Sequence, residues 1–121
     1  MRYLTIALVL AATQVSAQIG MRASDVRLSK PELIAFLSDK VLEFYTDGLA
    51  TYHADGSYDY RYTADGDRLP GTYEVMDDSS VCTVFVNGFE RCDYVVRSGD
   101  RYVLIIENGE RYPVRSISEI E

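Results

Sequence analysis

Residues 81–92 read VCTVFVNGFERC, two β-rich runs on either side of Asn87-Gly88 with a cysteine near each end. An Asn-Gly pair favours a hairpin turn because both residues tolerate positive φ. The length of the loop then decides whether Cys82 and Cys92 can meet. A two-residue loop would turn the two cysteines to opposite faces of the hairpin.

A three-residue loop, 86–88, with Gly88 in the left-handed region gives the other register. Cys82 then lies directly opposite Cys92, on the same face of the hairpin. The spacing therefore predicts a bulged loop closed by a disulfide. A redox couple is the alternative, but the spacing is not C-x-x-C and no helix begins beside it.

Similar turn signals recur along the rest of the chain and predict the fold. The turn signals are Asp47-Gly48, Asp55-Gly56, Asp65-Gly66, Asn87-Gly88, Ser98-Gly99-Asp100 and Asn108-Gly109. The β-rich runs between them are Val41–Thr46, Leu49–Ala54, Ser57–Thr63, Thr72–Asp77, Val81–Phe85, Phe89–Arg97, Arg101–Glu107 and Glu110–Ile117. About eight strands joined by tight turns form an antiparallel meander.

Alternation along the runs indicates one buried face that is rich in tyrosine. The predicted inward tyrosines are Tyr58, Tyr60, Tyr62, Tyr73, Tyr94 and Tyr102, and the predicted outward residues include Asp93 and Arg97. Eight such strands can close into a small barrel, which removes exposed edges. A strongly curled open sheet with a helix plugging one end is the alternative architecture. The tyrosines either fill the interior or line a site for a small amphipathic ligand.

One short helix precedes the meander. Ser29-Lys30-Pro31-Glu32 matches the S-x-x-E capping box, with proline in the first turn where its missing N–H costs nothing. Leu33, Ile34, Phe36 and Leu37 follow at helical spacing. The pattern predicts a helix over about 30–39, which must dock on the sheet to persist.

The N-terminus has the features of a signal peptide. Arg2 precedes a short apolar run, Leu4 to Ala12, and Val15-Ser16-Ala17 offers small residues for cleavage after Ala17. The run is too short for a membrane-spanning anchor. The sequence thus divides into a signal peptide at 1–17, a flexible leader at 18–28 and one domain at 29–121. Export to the periplasm or the medium fits a disulfide.

Composition excludes several functions. The chain has 121 residues, 12 Lys and Arg, 19 Asp and Glu, and one His. Loss of residues 1–17 removes one basic residue, so 11 basic and 19 acidic residues remain and the net charge is −8. Such an acidic chain does not suit nucleic acid, and one His with two Cys cannot build a Cys₂His₂ zinc site. A basic protein partner fits the charge.

Catalytic and metal-binding candidates are few. His53 could act as a general base with Ser57 or Asp55, which would make the protein a small hydrolase. A calcium site is the other possibility, and its candidate carboxylates are Asp55, Asp59, Asp65, Asp67, Asp77 and Asp78. No EF-hand pattern is present, and aspartates in Asx-Gly turns already have a backbone role. No catalytic residue, metal or cofactor is therefore assigned.

The chain resembles small exported proteins of unknown function from Gram-negative bacteria, especially alphaproteobacteria. The resemblance rests on Val41–Thr46, the Tyr52 to Ser57 turn, Gly71-Thr72-Tyr73, the Cys82 and Cys92 pair, and the Tyr102 to Val114 hairpin. In such families the position of Tyr73 is often Trp. The resemblance implies a small periplasmic β-fold and transfers no catalytic residue.

Together these features predict an exported, monomeric and non-enzymatic binding or interaction module. Its partner would be a small ligand or a basic protein. Inhibition of a cationic envelope enzyme is one form that such an interaction could take.

Overall fold

The computed structural model describes residues 19–46 and 48–121. The predicted signal peptide, 1–17, lies outside the described residues. The described elements are β1 (Asp25–Arg27), α1 (Lys30–Leu37), β2 (Lys40–Phe44), β3 (Leu49–Tyr52), β4 (Ser57–Arg61), β5 (Leu69–Val75), β6 (Val81–Phe85), β7 (Glu90–Ser98), β8 (Arg101–Ile105) and β9 (Arg111–Glu119).

Strands β2 to β9 form a closed antiparallel barrel. Each pairs with the next strand along the chain, and β9 pairs back with β2. The eight-strand meander predicted from the turn signals is confirmed, and of the two architectures the closed barrel is the one adopted. Closure gives every strand a neighbour on both sides, which removes the exposed edges of an open sheet.

The hairpin of β6 and β7 has the bulged loop that the cysteine spacing predicts. Cys82 lies opposite Cys92 in the register and is bonded to it. The amide of Gly88 donates to the carbonyl of Phe85, 2.8 Å away, and Gly88 has φ 87°. A left-handed residue at this position closes a three-residue loop.

Three other hairpins repeat that loop. In each, a three-residue loop ends on a residue with positive φ, and these loops are 54–56, 77–79 and 107–109. The second loop residue is Asp or Asn, whose side chain accepts a backbone amide two residues on. These side chains are Asp55, Asp78, Asn87 and Asn108, at 2.9 to 3.0 Å. Ser79 takes the left-handed position with φ 65°, where the other loops have glycine.

Helix α1 crosses one end of the barrel. It begins at the predicted capping box, in which the Ser29 side chain accepts the amide of Glu32 and the Glu32 carboxylate accepts the amide of Ser29. The helix contacts β2 and β5, and Phe36 stacks on Tyr102 of β8 at 4.7 Å between ring centroids. These strands lie on different sides of the barrel, so the helix spans its end.

The core lies inside the barrel below this helix. Leu33 and Leu37 of α1 are fully buried in one cluster with inward residues of the strands, among them Leu42, Tyr52 and Val95. Burial of large apolar side chains is the main term that holds a small domain together. The end of the barrel that Leu33 and Leu37 close is called the helix end below.

The predicted face of Tyr94 and Asp93 is wrong. Asp93 is 0 % exposed inside the barrel, next to the core residue Val95. Tyr94 lies on the outer wall, where the Arg27 guanidinium covers its ring at 3.8 Å from the centroid. The register explains the exchange, because Asp93 pairs with the inward Val81.

Residues 19–28 cover that outer wall, so the flexible leader predicted for 18–28 needs correction. Val96, Val103 and Ile105 form a second buried cluster, against which Met21 packs. Strand β1 pairs with β7, and Arg111 binds Asp25 by two hydrogen bonds, of 2.5 and 3.1 Å. An apolar patch on the outer face needs a cover, and this segment supplies it.

Helix α1, with eight residues, is the one helix in the described part of the chain. No helix there is long and apolar enough to span a bilayer.

Candidate functional site

The barrel is open at the end opposite the helix, called the mouth below. A cavity of about 310 Å³ occupies it. The cavity is lined by residues from or next to every strand of the barrel: Phe44, Ala50, Tyr58, Tyr60, Tyr62, Leu69, Phe85, Asn87, Phe89, Arg91, Leu104, Ile106 and Tyr112. A concave, largely aromatic space of this size lies at the lower end of the range that is typical of small-molecule sites.

Aromatic rings form most of the cavity wall and continue into the core. Tyr58 meets Phe85 edge-on at 5.7 Å, and Phe85 meets Phe89 at 5.9 Å between centroids. In the other direction Tyr58 packs on Tyr52 at 5.0 Å. These contacting rings resist collapse into the space beside them, because Tyr58 already packs edge-to-face against both Tyr52 and Phe85.

The mouth has an exposed apolar rim. Phe89 is 58 % exposed and Tyr62 is 61 % exposed, and Leu69 is partly exposed beside them. Val86, at the tip of the β6–β7 loop, is 80 % exposed. Apolar groups at the rim extend the wall of the cavity outward, so a ligand longer than the cavity would still meet apolar surface.

Arg91 supplies the charged group of the cavity lining. Its Nε and Nη2 atoms donate to the Asp93 carboxylate at 2.7 and 3.0 Å, a bidentate pair. Asp93 is fully buried below it, whereas the Arg91 side chain keeps 24 % of its surface exposed. Burial raises the pKa of Asp93 more than the Arg91 hydrogen bonds and charge lower it. The pair places a planar donor group in an otherwise aromatic space.

Two further carboxylates lie near the mouth. Glu110 accepts the hydroxyl of Tyr112 at 2.6 Å, and this hydrogen bond raises the pKa of Tyr112. Glu107, which follows β8, accepts the backbone amide of Cys92 at 2.7 Å. Cys92 lies beyond the part of β7 that pairs with β8. Arg91 is the one charged residue among those that line the cavity.

The six tyrosines named from the sequence divide into three groups. Tyr58, Tyr60 and Tyr62 line the cavity. Tyr73 and Tyr102 face inward at the helix end, where they pack against the core cluster. Tyr73 also donates its hydroxyl to the carbonyl of His53 at 2.6 Å. Tyr94 lies on the outer wall.

Arg91 is a site residue that strand alternation does not single out, although the sequence contains a signal for it. The register that pairs Cys82 with Cys92 also pairs Thr83 with Arg91. Since Thr83 alternates with Cys82, it lies on the face opposite the disulfide, which is the inner face, and Arg91 must share it. Thr83 is buried there, and its hydroxyl has no hydrogen-bond partner among the described residues.

His53 lies outside the mouth, after β3. Its Nε2 is 3.8 Å from an oxygen of Asp59, beyond hydrogen-bond distance. The Ser57 hydroxyl donates to Asp55 at 2.6 Å, and within the described residues no hydrogen bond joins the imidazole to either of them. The geometry therefore does not assemble the nucleophile and base that the hydrolase alternative requires.

The candidate carboxylates do not converge. Asp55 and Asp78 accept hydrogen bonds within their own loops, Asp77 binds Lys30 at 2.6 Å, and Asp59 binds Arg68 at 3.1 Å. In residues 19–46 and 48–121, no three His, Cys, Asp or Glu side chains are placed to hold one metal ion.

No protein family, curated protein or solved structure matches this chain.

Proposed function

We propose that the protein is an exported, non-enzymatic binding module whose barrel mouth holds a small amphipathic molecule. The observation that carries the proposal is the aromatic-walled cavity of about 310 Å³ at the mouth of the barrel. Its walls suit an apolar body, and Arg91 suits one polar group.

The contrast with the helix end supports a binding role. A barrel of eight strands is just wide enough to be filled by its own side chains. At the helix end Leu33 and Leu37 fill it. At the mouth the corresponding space remains open, although closing it with larger side chains would bury more apolar surface and add stability.

Export is supported by two features. The Cys82–Cys92 disulfide is typical of proteins in oxidising compartments. Residues 1–17 have the charge, apolar run and small residues of a signal peptide. The periplasm is the proposed location in a cell with two membranes.

A neutral environment-sensitive dye tests the binding role. N-phenyl-1-naphthylamine fluoresces strongly only in apolar surroundings, and we expect saturable enhancement with residues 18–121. Ala50→Phe fills the cavity, since Ala50 is buried in its wall, and should abolish the signal. Ala54→Phe makes the same change at an exposed loop position and should leave it intact.

A variant at the rim keeps the binding test informative even if the Ala50→Phe variant does not fold. Phe89→Ala removes an exposed ring of the cavity wall and should weaken dye binding several-fold, whereas Val86→Ala, in the same loop but outside the cavity lining, should not. Equal dye binding by the Ala50→Phe variant and the native protein, with both folded by thermal melting, would refute the proposal.

A further inference from the structure

The charges around the cavity restrict what the proposed ligand can be. Arg91 is the one cation of the lining, and Asp93 accepts from both its Nε and its Nη2. Because Asp93 is buried directly below, the two charges cancel. Arg91 Nη1 has no acceptor among the described residues, so both of its N–H bonds remain available to a ligand.

Anionic ligands meet an unfavourable field there. The positive charge of Arg91 is already neutralised, and the carboxylates of Glu107 and Glu110 lie near the mouth. A carboxylate or phosphate entering the cavity would lose its hydration without gaining a free cation. Desolvation of a charge is costly unless it is paired.

Cationic ligands find no partner in the cavity either. Asp93 is fully buried behind Arg91, and the cavity lining contains no carboxylate that an ammonium group could bind. Cation–π attraction to the rings is available, but the ammonium group would lose its hydration without gaining an anionic partner.

We infer that the ligand of the mouth is a neutral, ring-containing molecule with a hydrogen-bond-accepting oxygen, such as an aryl ketone, an ester or a quinone. The ring lies between Tyr58, Phe85 and Tyr112, and the oxygen accepts from Arg91 Nη1. This inference rests on the proposed binding function and adds the charge and polarity of the ligand.

The geometry supports one oxygen acceptor rather than a wholly apolar ligand. A hydrocarbon would cover the free Arg91 donor without offering it an acceptor, and an unmet buried donor destabilises a complex. A ketone or ester oxygen supplies that acceptor. The gain expected for one neutral hydrogen bond is about three- to tenfold in affinity.

Four naphthalene probes of similar size test the inference by displacement of N-phenyl-1-naphthylamine at pH 7. They are 2-acetylnaphthalene, its hydrocarbon isostere 2-isopropenylnaphthalene, 2-naphthoate and 2-naphthylmethylammonium. We expect 2-acetylnaphthalene to bind most tightly, 2-isopropenylnaphthalene about three- to tenfold more weakly, and both charged probes more than tenfold more weakly than the ketone.

A charge variant makes the test specific to the pair. Asp93→Asn leaves Arg91 without its neutralising charge, so the affinity for 2-naphthoate should rise more than tenfold relative to 2-acetylnaphthalene. Asp59→Asn is the matched control, because Asp59 is a nearly buried carboxylate that also binds an arginine, Arg68, but lies outside the cavity lining. It should leave the order of the four probes unchanged.

The outcomes separate the two proposals. If the dye binds and 2-naphthoate or the ammonium probe displaces it as well as the ketone does, the inference is overturned and the binding function stands. If the dye binds and none of the four probes displaces it, the inference is likewise overturned. If the dye itself does not bind the folded protein, the proposed function fails.

Discussion

The two ends of the barrel are lined by similar residues but are completed differently. At the helix end Leu33 and Leu37 of α1 are fully buried in the core cluster, against which Tyr73 and Tyr102 pack. At the mouth the aromatic wall continues, but no element of the described chain crosses it, and a cavity of about 310 Å³ remains. Tyrosine-rich strands therefore build either a core or a site, and the covering element decides which.

The largest effect should come from the leucines of the helix end. Leu37→Ala removes a fully buried side chain and should lower the free energy of unfolding by about 2 to 5 kcal/mol. Leu69→Ala, at the partly exposed rim of the mouth, should cost less than about 1 kcal/mol. Urea unfolding of the oxidised proteins measures both, and equal losses would break the comparison.

Loss of the disulfide should have the next largest effect on stability. It joins the two strands of the hairpin whose loop projects beside the mouth. Replacing Cys82 and Cys92 together by alanine should lower the free energy of unfolding by roughly 2 to 3 kcal/mol, because the unfolded chain regains the freedom of the closed loop. The same urea titration tests this. A change below the error of the fit would show that the bridge does not stabilise the fold.

The segment that covers the outer wall should respond to acid. Hydrogen bonds from Arg111 hold the pKa of Asp25 at about 2, well below the usual value of an aspartate. The carboxylate is the form that the fold favours, so its contribution is complete above about pH 4 and is lost as the pH falls toward 2. A shift of this size corresponds to about 2 kcal/mol.

Asp25→Asn isolates this contribution from those of other carboxylates. The difference in unfolding free energy between native protein and variant should be largest at neutral pH and should shrink as the pH falls from 4 to 2. Thermal or urea unfolding across that range measures the difference. A difference that stays constant with pH would contradict the role of the ion pair.

The smallest change in stability is expected from substitutions in equivalent loops at the two ends of the barrel. Ser79, in the loop after β5 at the helix end, has φ 65°, and Gly88, in the loop beside the mouth, has φ 87°. Ser79→Gly should stabilise the protein by about 1 kcal/mol, and Gly88→Ser should destabilise it by about the same amount.

In the Gly88→Ser variant the expected loss of stability comes from backbone strain alone, because a Cβ atom at Gly88 would meet no other atom within 4 Å. Differential scanning calorimetry resolves shifts of this size. A Gly88→Ser variant as stable as the native protein would show that the left-handed conformation costs nothing in this loop.

Much of the fold follows from local sequence signals. The turn dipeptides divide the chain into the eight strands of the barrel, and the capping box fixes the start of α1 at Ser29. The parity of Cys82 and Cys92 fixes the β6–β7 register. These features are local, because each depends on residues within one turn or one hairpin.

The rest depends on contacts between distant parts of the chain. The predicted faces of Tyr94 and Asp93 are wrong because alternation alone does not say which face of a strand is inside. The buried Arg91–Asp93 pair also departs from the usual preference for apolar interiors. Strand β1 depends on the outer patch around Val96, which forms only after β7 and β8 pair. The cavity depends on which end α1 covers.

Nuclear magnetic resonance offers the most direct test of the difference between the two ends. A ¹⁵N correlation spectrum of residues 18–121 titrated with 2-acetylnaphthalene reports on both ends at once. The account predicts saturable shifts at the amides of Phe89 and Leu69 and at Arg91 Nε, with Leu33 and Leu37 unchanged. Shifts concentrated at Leu33 and Leu37, or no saturable shift at the mouth, would contradict it.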